Sequence, residues 1–184
     1  MKETIYRAAM KVFATRGYER ATIDEIVARA GIAKGTVYYH FGSKKDLFLS
    51  LVEEGFAQLL QRVRSAVARP EDTRRRLERL IDAHVEFVRD ETDFCRLLLS
   101  EGPEFRWRKQ LRKLHDEYVA TLTDFIRQGQ AEGTLAEVDP ELALHTIFGA
   151  VTMLALDYVV LGEEIEWRRI APQIKQIIFH GLLA

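Results

Sequence analysis

The chain has 184 residues, 47% of them hydrophobic, with 27 Lys/Arg against 28 Asp/Glu for a net charge of −1. That length suits one large domain or two small ones with a real core, and no stretch reads as a signal peptide, so a cytoplasmic location is expected. The single cysteine, Cys95, excludes a disulfide framework within one chain and any cysteine-rich zinc site.

In chain order the pattern is helical. Residues 3–16 predict a first helix with Ile5, Ala8, Ala9, Val12 and Phe13 on one face and Gly17 ending it. Thr22 and Glu25 have capping-box spacing and open a second. Ile23, Ile26, Val27 and Ala30 share one face of it, and Gly31 closes it at no steric cost. The next element, residue 34 to about residue 40, is too short and too polar on one side to be core. With Val37 turned inward, Gly35, Thr36, Tyr38 and Tyr39 face outward at 3.6 residues per turn. Two short helices around a tight turn, the second presenting Lys, Thr and two Tyr to solvent, read as a helix-turn-helix that binds DNA.

Ser43 opens a fourth helix, again with an acidic residue, Asp46, three positions on. Leu47, Phe48, Leu51, Val52, Leu59 and Val63 give it an apolar stripe reaching about Ala68, and Pro70 breaks it. A fifth helix is expected over residues 73–89, a short one over 94–100, a loop at Gly102 and Pro103, and a long helix over 107–131. Asp139-Pro140-Glu141 places proline at the first helical position of another, which Gly162 stops after Leu161. The last helix lies between residues 166 and 183, its start blurred by Pro172. No strand and no internal repeat is predicted.

The near-zero total charge hides an asymmetry. Residues 1–47 hold nine Lys/Arg against five Asp/Glu, a net of +4, and the remainder eighteen against twenty-three, a net of −5. Positive charge lies on the motif and negative charge on the body, as expected if one end meets phosphate.

DNA recognition needs positioning contacts to phosphate and reading contacts to bases. Thr22 at a helix start, His40, and Lys44 at the start of the fourth helix are the positioning candidates. Lys34, Thr36, Tyr38 and Tyr39 are the reading candidates, with Gly35 admitting the backbone closely. A lysine donates to guanine O6/N7, and a threonine methyl or tyrosine ring touches thymine methyls. Packing of either tyrosine on the first helix, and plain solvation of Lys34 and Lys44, are the alternatives; Phe41 reads as core. One such unit reads only a few base pairs, so a homodimer on a palindrome, with half-sites about a helical turn or a multiple apart, is expected. Residues 142–161, apolar almost all round but for His145, Thr146, Thr152 and Asp157, must be covered on every side. Their length would also fit a membrane span, but His145 and Asp157 argue against one and no membrane is expected. With Ile170, Ile174, Ile177, Ile178 and Leu182 they would form a four-helix dimer contact.

The run AGIAKGTVYYHFGSKKDL, preceded by FATRGYERATIDEIVARA, resembles the N-terminal signature of the TetR family of bacterial one-component regulators, over roughly residues 5–51. The rest is similar only in length and helical layout. The resemblance implies an all-α fold: residues 1–47 as a three-helix helix-turn-helix DNA-binding domain, and residues 48–184 as a helical effector-binding and dimerisation domain. It implies the same phosphate roles for Thr22, His40 and Lys44. It also implies a regulator, usually a repressor, that leaves its double-stranded palindromic operator when a small effector binds. Ala33 departs from the pattern, standing where the family often has a Ser or Thr cap worth about 1 kcal/mol.

His84, Phe87, Tyr118, Leu122, Phe125, His145 and Phe148 are the effector candidates, aromatic or polar residues among apolar ones, with ordinary core as the competing reading. The mixture suits a largely apolar effector with one polar end. Residues 147–151 and 84–106 vaguely resemble fatty-acid regulators within the family, which points to an acyl-CoA whose phosphates would meet Arg96, Arg106 and Arg108, with plain solvation of these arginines as the default reading. The fourth helix, with Lys44 at the DNA and its far end at the cavity, is expected to couple the two by tilting.

No cofactor or metal is expected. The five histidines lack HxxxH or HExxH spacing, Cys95 has no base nearby in sequence, and no Gly-rich phosphate loop occurs, so enzyme activity is not expected. The alternative function is a helix-turn-helix dimer without an effector, acting through a protein partner or as an activator.

Overall fold

The computed structural model describes residues 1–100, 108–162, 164 and 166–181. Over these the chain is helical: α1 Lys2–Arg20, α2 Ile23–Ala30, α3 Lys34–Phe41, α4 Lys44–Val67, α5 Thr73–Asp90, α6 Thr92–Ser100, α7 Arg108–Ala131, α8 Pro140–Ala155 and α9 Trp167–His180.

The helix starts follow from their caps. Thr22 closes a full capping box: its hydroxyl accepts from the Glu25 amide at 3.2 Å, and the Glu25 carboxylate accepts from the Thr22 amide at 3.0 Å. These bonds hold the Glu25 carboxyl below its ordinary range, chiefly through the Thr22 hydroxyl. Ser43, Asp72 and Asp139 accept from the third amide of α4, α5 and α8. Gly31 ends α2 at φ 67°, in the left-handed region where glycine carries no penalty. Ala33 provides no side-chain cap for α3.

Two boundaries differ from expectation. Gly17 does interrupt the first helix, at φ 71° and ψ 165°, but one more turn follows it to Arg20. That turn carries Tyr18 onto Phe48, with ring centroids 4.8 Å apart. The eighth helix passes at Leu156 into a π-helical turn, Leu156–Val160, before Gly162. The loop expected at Gly102 and Pro103 lies outside the described residues.

The small N-terminal unit is built on Ile5, Ala9, Phe13, Ile26, Val37, Leu47 and Phe48, all fully or almost fully buried. Phe13 meets Phe48 edge-on at 5.4 Å. The division anticipated at residue 47 falls inside α4, whose first turns complete this core. Its later residues Leu60, Val63 and Ala66 are buried where α4 packs on α5 and α7; Leu59 is only partly buried. The body is held by α4, α5, α7 and α8, with α6 wedged against α1.

Of α8, Leu144, Ile147, Phe148, Val151 and Ala155 are buried, a helical stripe. Its opposite stripe, Leu142, Thr146, Gly149 and Met153, is exposed. Residues Pro140–Val159 are long and apolar enough to cross a membrane by length and composition alone, with about a third of that stretch buried. α9 packs on α5 through buried Ala171 and Ile174, the Lys175–Asp82 ion pair at 2.6 Å, and Arg74 over the Phe179 ring at 4.6 Å. Ile174 is therefore covered by its own chain rather than held for a partner, whereas Ile177 stays exposed. Leu182 lies outside the described residues.

Candidate nucleic-acid interface and effector core

α3 is positioned by Val37, its one fully buried residue, and by Phe41 at its end. Val37 is fully buried, while Lys34, Gly35, Tyr38 and Tyr39 are exposed and Thr36 and His40 half-buried. Tyr39 is 86% exposed and Tyr38 45%, so neither is spent on packing against α1. Phe41 turns back instead, edge-on to Tyr6 at 5.5 Å. A Cβ at Gly35 would meet nothing within 4 Å, leaving open space against the backbone there.

Both lysines at issue sit at the first position of a helix, Lys34 on α3 and Lys44 on α4. A cation there opposes the helix dipole, a local disadvantage that an approaching anion would reverse. Neither lysine is simply solvated. Lys34 Nζ lies 2.8 Å from the Asp24 carboxylate of α2, and that hydrogen bond raises its pKa above the ordinary value. Lys44 Nζ donates to the Glu19 carbonyl at 3.2 Å and stands 4.6 Å from the Tyr18 ring centre. Asp24, Glu19 and Tyr18 were not singled out from the sequence. They come from other helices, and no spacing rule pairs residues ten or twenty-five positions apart.

Thr22 opens α2 with its hydroxyl engaged by Glu25. Its cap therefore fixes where α2 begins after α1, and Arg16 of α1 steadies the same carboxylate at 3.5 Å.

The effector candidates separate into a cluster and an outlier. His84, Phe87, Leu122, Phe125 and Phe148 are buried, and Tyr118 is half-buried. His84 Nδ1 lies 2.8 Å from the Leu80 carbonyl, so Nδ1–H donates and Nε2 accepts from the Tyr118 hydroxyl at 2.7 Å. The imidazole also stacks on Phe148 with centroids 4.0 Å apart. One polar pair thus sits in an otherwise apolar zone between α5, α7 and α8. Farther along the same α5–α7 seam, the Arg76 guanidinium covers the Phe125 ring at 5.0 Å.

His145 does not join the cluster. It is exposed, one position past buried Leu144 and so turned about a quarter of the helix away, with Nδ1 on the Glu141 carbonyl. Arg96 donates to the Val159 carbonyl in the π-helical turn at 2.9 Å; Arg106 and the Arg108 side chain lie outside the described residues. Cys95 is a buried thiol whose pKa burial pushes up to about 12, the opposite of what a nucleophile needs. Among the described residues no three His, Cys, Asp or Glu side chains are grouped to hold a metal ion.

Burial keeps His84 neutral and lowers its pKa from 6.5 to about 4. Between those values the unfolded chain takes up a proton that the folded chain refuses. Stability is therefore full above the unfolded value and falls as the pH drops toward the folded one, by about 3 kcal/mol in all. Urea unfolding near pH 7 and near pH 4.5 should show this loss, and H84Q should remove most of it.

Residues 5–51 match the N-terminal domain described as bacterial regulatory proteins, tetR family, and residues 70–182 match a tetracyclin repressor-like C-terminal domain. The chain is 22% identical over 181 residues to the fatty acid metabolism regulator protein of Bacillus subtilis, covering 97% of this chain and 93% of that one. It is 29% identical over 181 residues to an HTH-type transcriptional repressor of Streptomyces coelicolor, 98% and 84% covered respectively. The fold superposes on the transcriptional regulator FadR from Bacillus subtilis in complex with stearoyl-CoA. The TM-score is 0.87 at 22% identity, with both chains covered in full.

Proposed function

Because the chain belongs to the TetR family of bacterial transcriptional regulators, we propose that it is a homodimeric repressor, acting in the cytoplasm, that reads a palindromic operator with α3 and leaves it when a long-chain acyl-CoA or similar amphiphile fills its helical body. The single observation that carries the DNA reading is the form of α3. One buried residue anchors it, and Lys34, Gly35, Tyr38 and Tyr39 are turned out in a unit with net positive charge. In this reading Lys34, Thr36, Tyr38 and Tyr39 touch base edges, Gly35 admits the backbone, and Thr22, His40 and Lys44 fix the register on phosphates.

Dimerisation is supported by the exposed α8 stripe. Leu142 is 64% exposed and Met153 59%, one helical face with Thr146 and Gly149, and Ile177 of α9 is also uncovered. Water-facing apolar residues in a row suit a second copy of the same helix. His145 borders this stripe and is assigned to it rather than to the effector site.

The effector reading rests on the His84–Tyr118 pair, with Phe148 stacked on the imidazole and Phe87, Leu122 and Phe125 buried in the same body. An acyl chain suits the rings and the hydroxyl offers one polar contact. The FadR neighbour that holds stearoyl-CoA shares the fold. α4 would transmit the event, since its first residue is Lys44 and its far half lines the body. Release requires the effector to favour the arrangement that fits DNA poorly, and binding of the two ligands must then be mutually antagonistic.

Titrating a preformed operator complex with stearoyl-CoA, and separately with coenzyme A, tests this. The acylated ligand alone should dissociate the complex, with operator and effector each weakening the other's affinity by the same factor. Simultaneous binding at unchanged affinities would remove the effector mechanism while leaving the DNA reading standing.

A further inference from the structure

Asp24 is out of place on a DNA-facing surface. It lies two residues beyond Thr22, its side chain is 71% exposed, and its carboxylate grips Lys34 at 2.8 and 3.0 Å. Lys34 begins α3, the helix with no side-chain cap and no acidic residue in its first turn. Local stability gives little reason for the pair, because exposed ion pairs contribute little. The effect on DNA binding is different in kind.

We propose that Asp24 is a specificity-determining positioning residue, which keeps Lys34 paired and electrically silent on arbitrary DNA and yields it only to a base acceptor in the operator. This rests on Lys34 acting as a reading residue.

Binding to arbitrary sequence is almost wholly a matter of phosphate charge and counterion release. A lysine held by a carboxylate neutralises no phosphate, so the pair contributes nothing to that background. In the operator complex a guanine presents O6 and N7 together, a bidentate acceptor able to replace the carboxylate. The exchange is cheap because the pair is exposed and weak, and geometry decides it because both acceptors lie within one lysine's reach. Asp24 would thus sharpen discrimination by lowering background binding more than operator binding. Such selection against wrong partners through an unfavourable charge is a recognised route to specificity.

The Asp24→Asn substitution keeps the shape and removes the charge. Fluorescence anisotropy on the full chain, using the selected operator and a scrambled duplex of equal length across a salt series, reads the effect. Freeing one lysine in each half of the dimer should release about two more counterions. Binding to the scrambled duplex should then tighten about sixtyfold near 0.1 M salt, and its log–log salt slope should steepen by about 1.8. Operator affinity should rise no more than about twofold, so the ratio of the two falls at least about thirtyfold. In the double variant D24N/K34Q the gain on scrambled DNA should vanish.

Equal gains on both duplexes would mean simple repulsion of phosphate and would overturn the proposal. So would unchanged binding to scrambled DNA, a loss confined to the operator, or a gain that survives K34Q. Failure of the unaltered chain to prefer any operator is a separate result, and it would sink the DNA reading itself.

Discussion

Replacing Tyr39 by alanine is expected to weaken operator binding about a hundredfold and to leave the fold unchanged. At 86% exposure the ring contributes almost nothing to the free protein, and surface substitutions of that kind stay within about 0.5 kcal/mol of neutral. On DNA the same ring would be covered by sugar and base, a contact worth roughly 1–2 kcal/mol in each half-site by comparison with base-edge contacts generally. A symmetric dimer makes it twice, and the two losses compound. Thermal melting and anisotropy on the same sample check both halves. A fall in melting temperature of more than a degree or two would return Tyr39 to a packing role, and a loss under threefold would remove it from the interface.

The second large effect is expected at Gly55, halfway along α4. A Cβ at this position would fall inside the van der Waals envelope of the Phe94 ring. That ring is itself buried and wedged edge-on against Phe56 and Phe87, at 6.0 and 5.8 Å. Two effects of opposite sign compete in Gly55→Ala. Removing glycine from a helix interior stabilises by up to about 1 kcal/mol, while overpacking a filled site costs about 1–3 kcal/mol. Because Phe94 is buried and already in ring contact with Phe56 and Phe87, overpacking should prevail. We expect a net loss of about 1–2 kcal/mol, a few degrees in melting temperature for a chain of this size. Combining it with Phe94→Leu should give a double variant more stable than the sum of the single losses predicts. A Gly55→Ala protein as stable as the original would show that α4 and α6 are not in close contact there. The same contact bears on signalling: α6 also pairs Asp93 with Lys11 of α1 at 2.5 Å, so the helix that presses on α4 is tied to the DNA-binding unit.

Much of this was legible from spacing alone. Capping residues declare helix starts locally, which is why Thr22, Ser43 and Asp139 stand where expected. α3 was readable because a helix with one fully buried residue has an unambiguous outward face. Where the pattern carried no phase, the reading failed. α8 is apolar nearly all round, so nothing in it distinguished His145, turned outward, from Phe148, turned inward. Ile174 and Ile177 of α9 present the same difficulty, three residues apart with opposite fates. The pairs that shape the candidate interface, Lys34 with Asp24 and Lys44 with Glu19 and Tyr18, are made across helices and leave no periodic trace. Gly55 was not singled out either, since Gly35 and Gly149 are also lone glycines in helices yet have open space at the Cβ, and spacing alone does not tell the three apart. The turn at Gly17 and the π-helical end of α8 depend on tertiary packing that local propensity does not encode.

Selection of bound duplexes from a random pool by the full chain, repeated with K34Q, bears most directly on the exposed face of α3. Enrichment of a palindrome with half-sites about one helical turn or a multiple apart is predicted, with a guanine preference that K34Q erases. A pool that stays random, or a motif that K34Q leaves untouched, would contradict it.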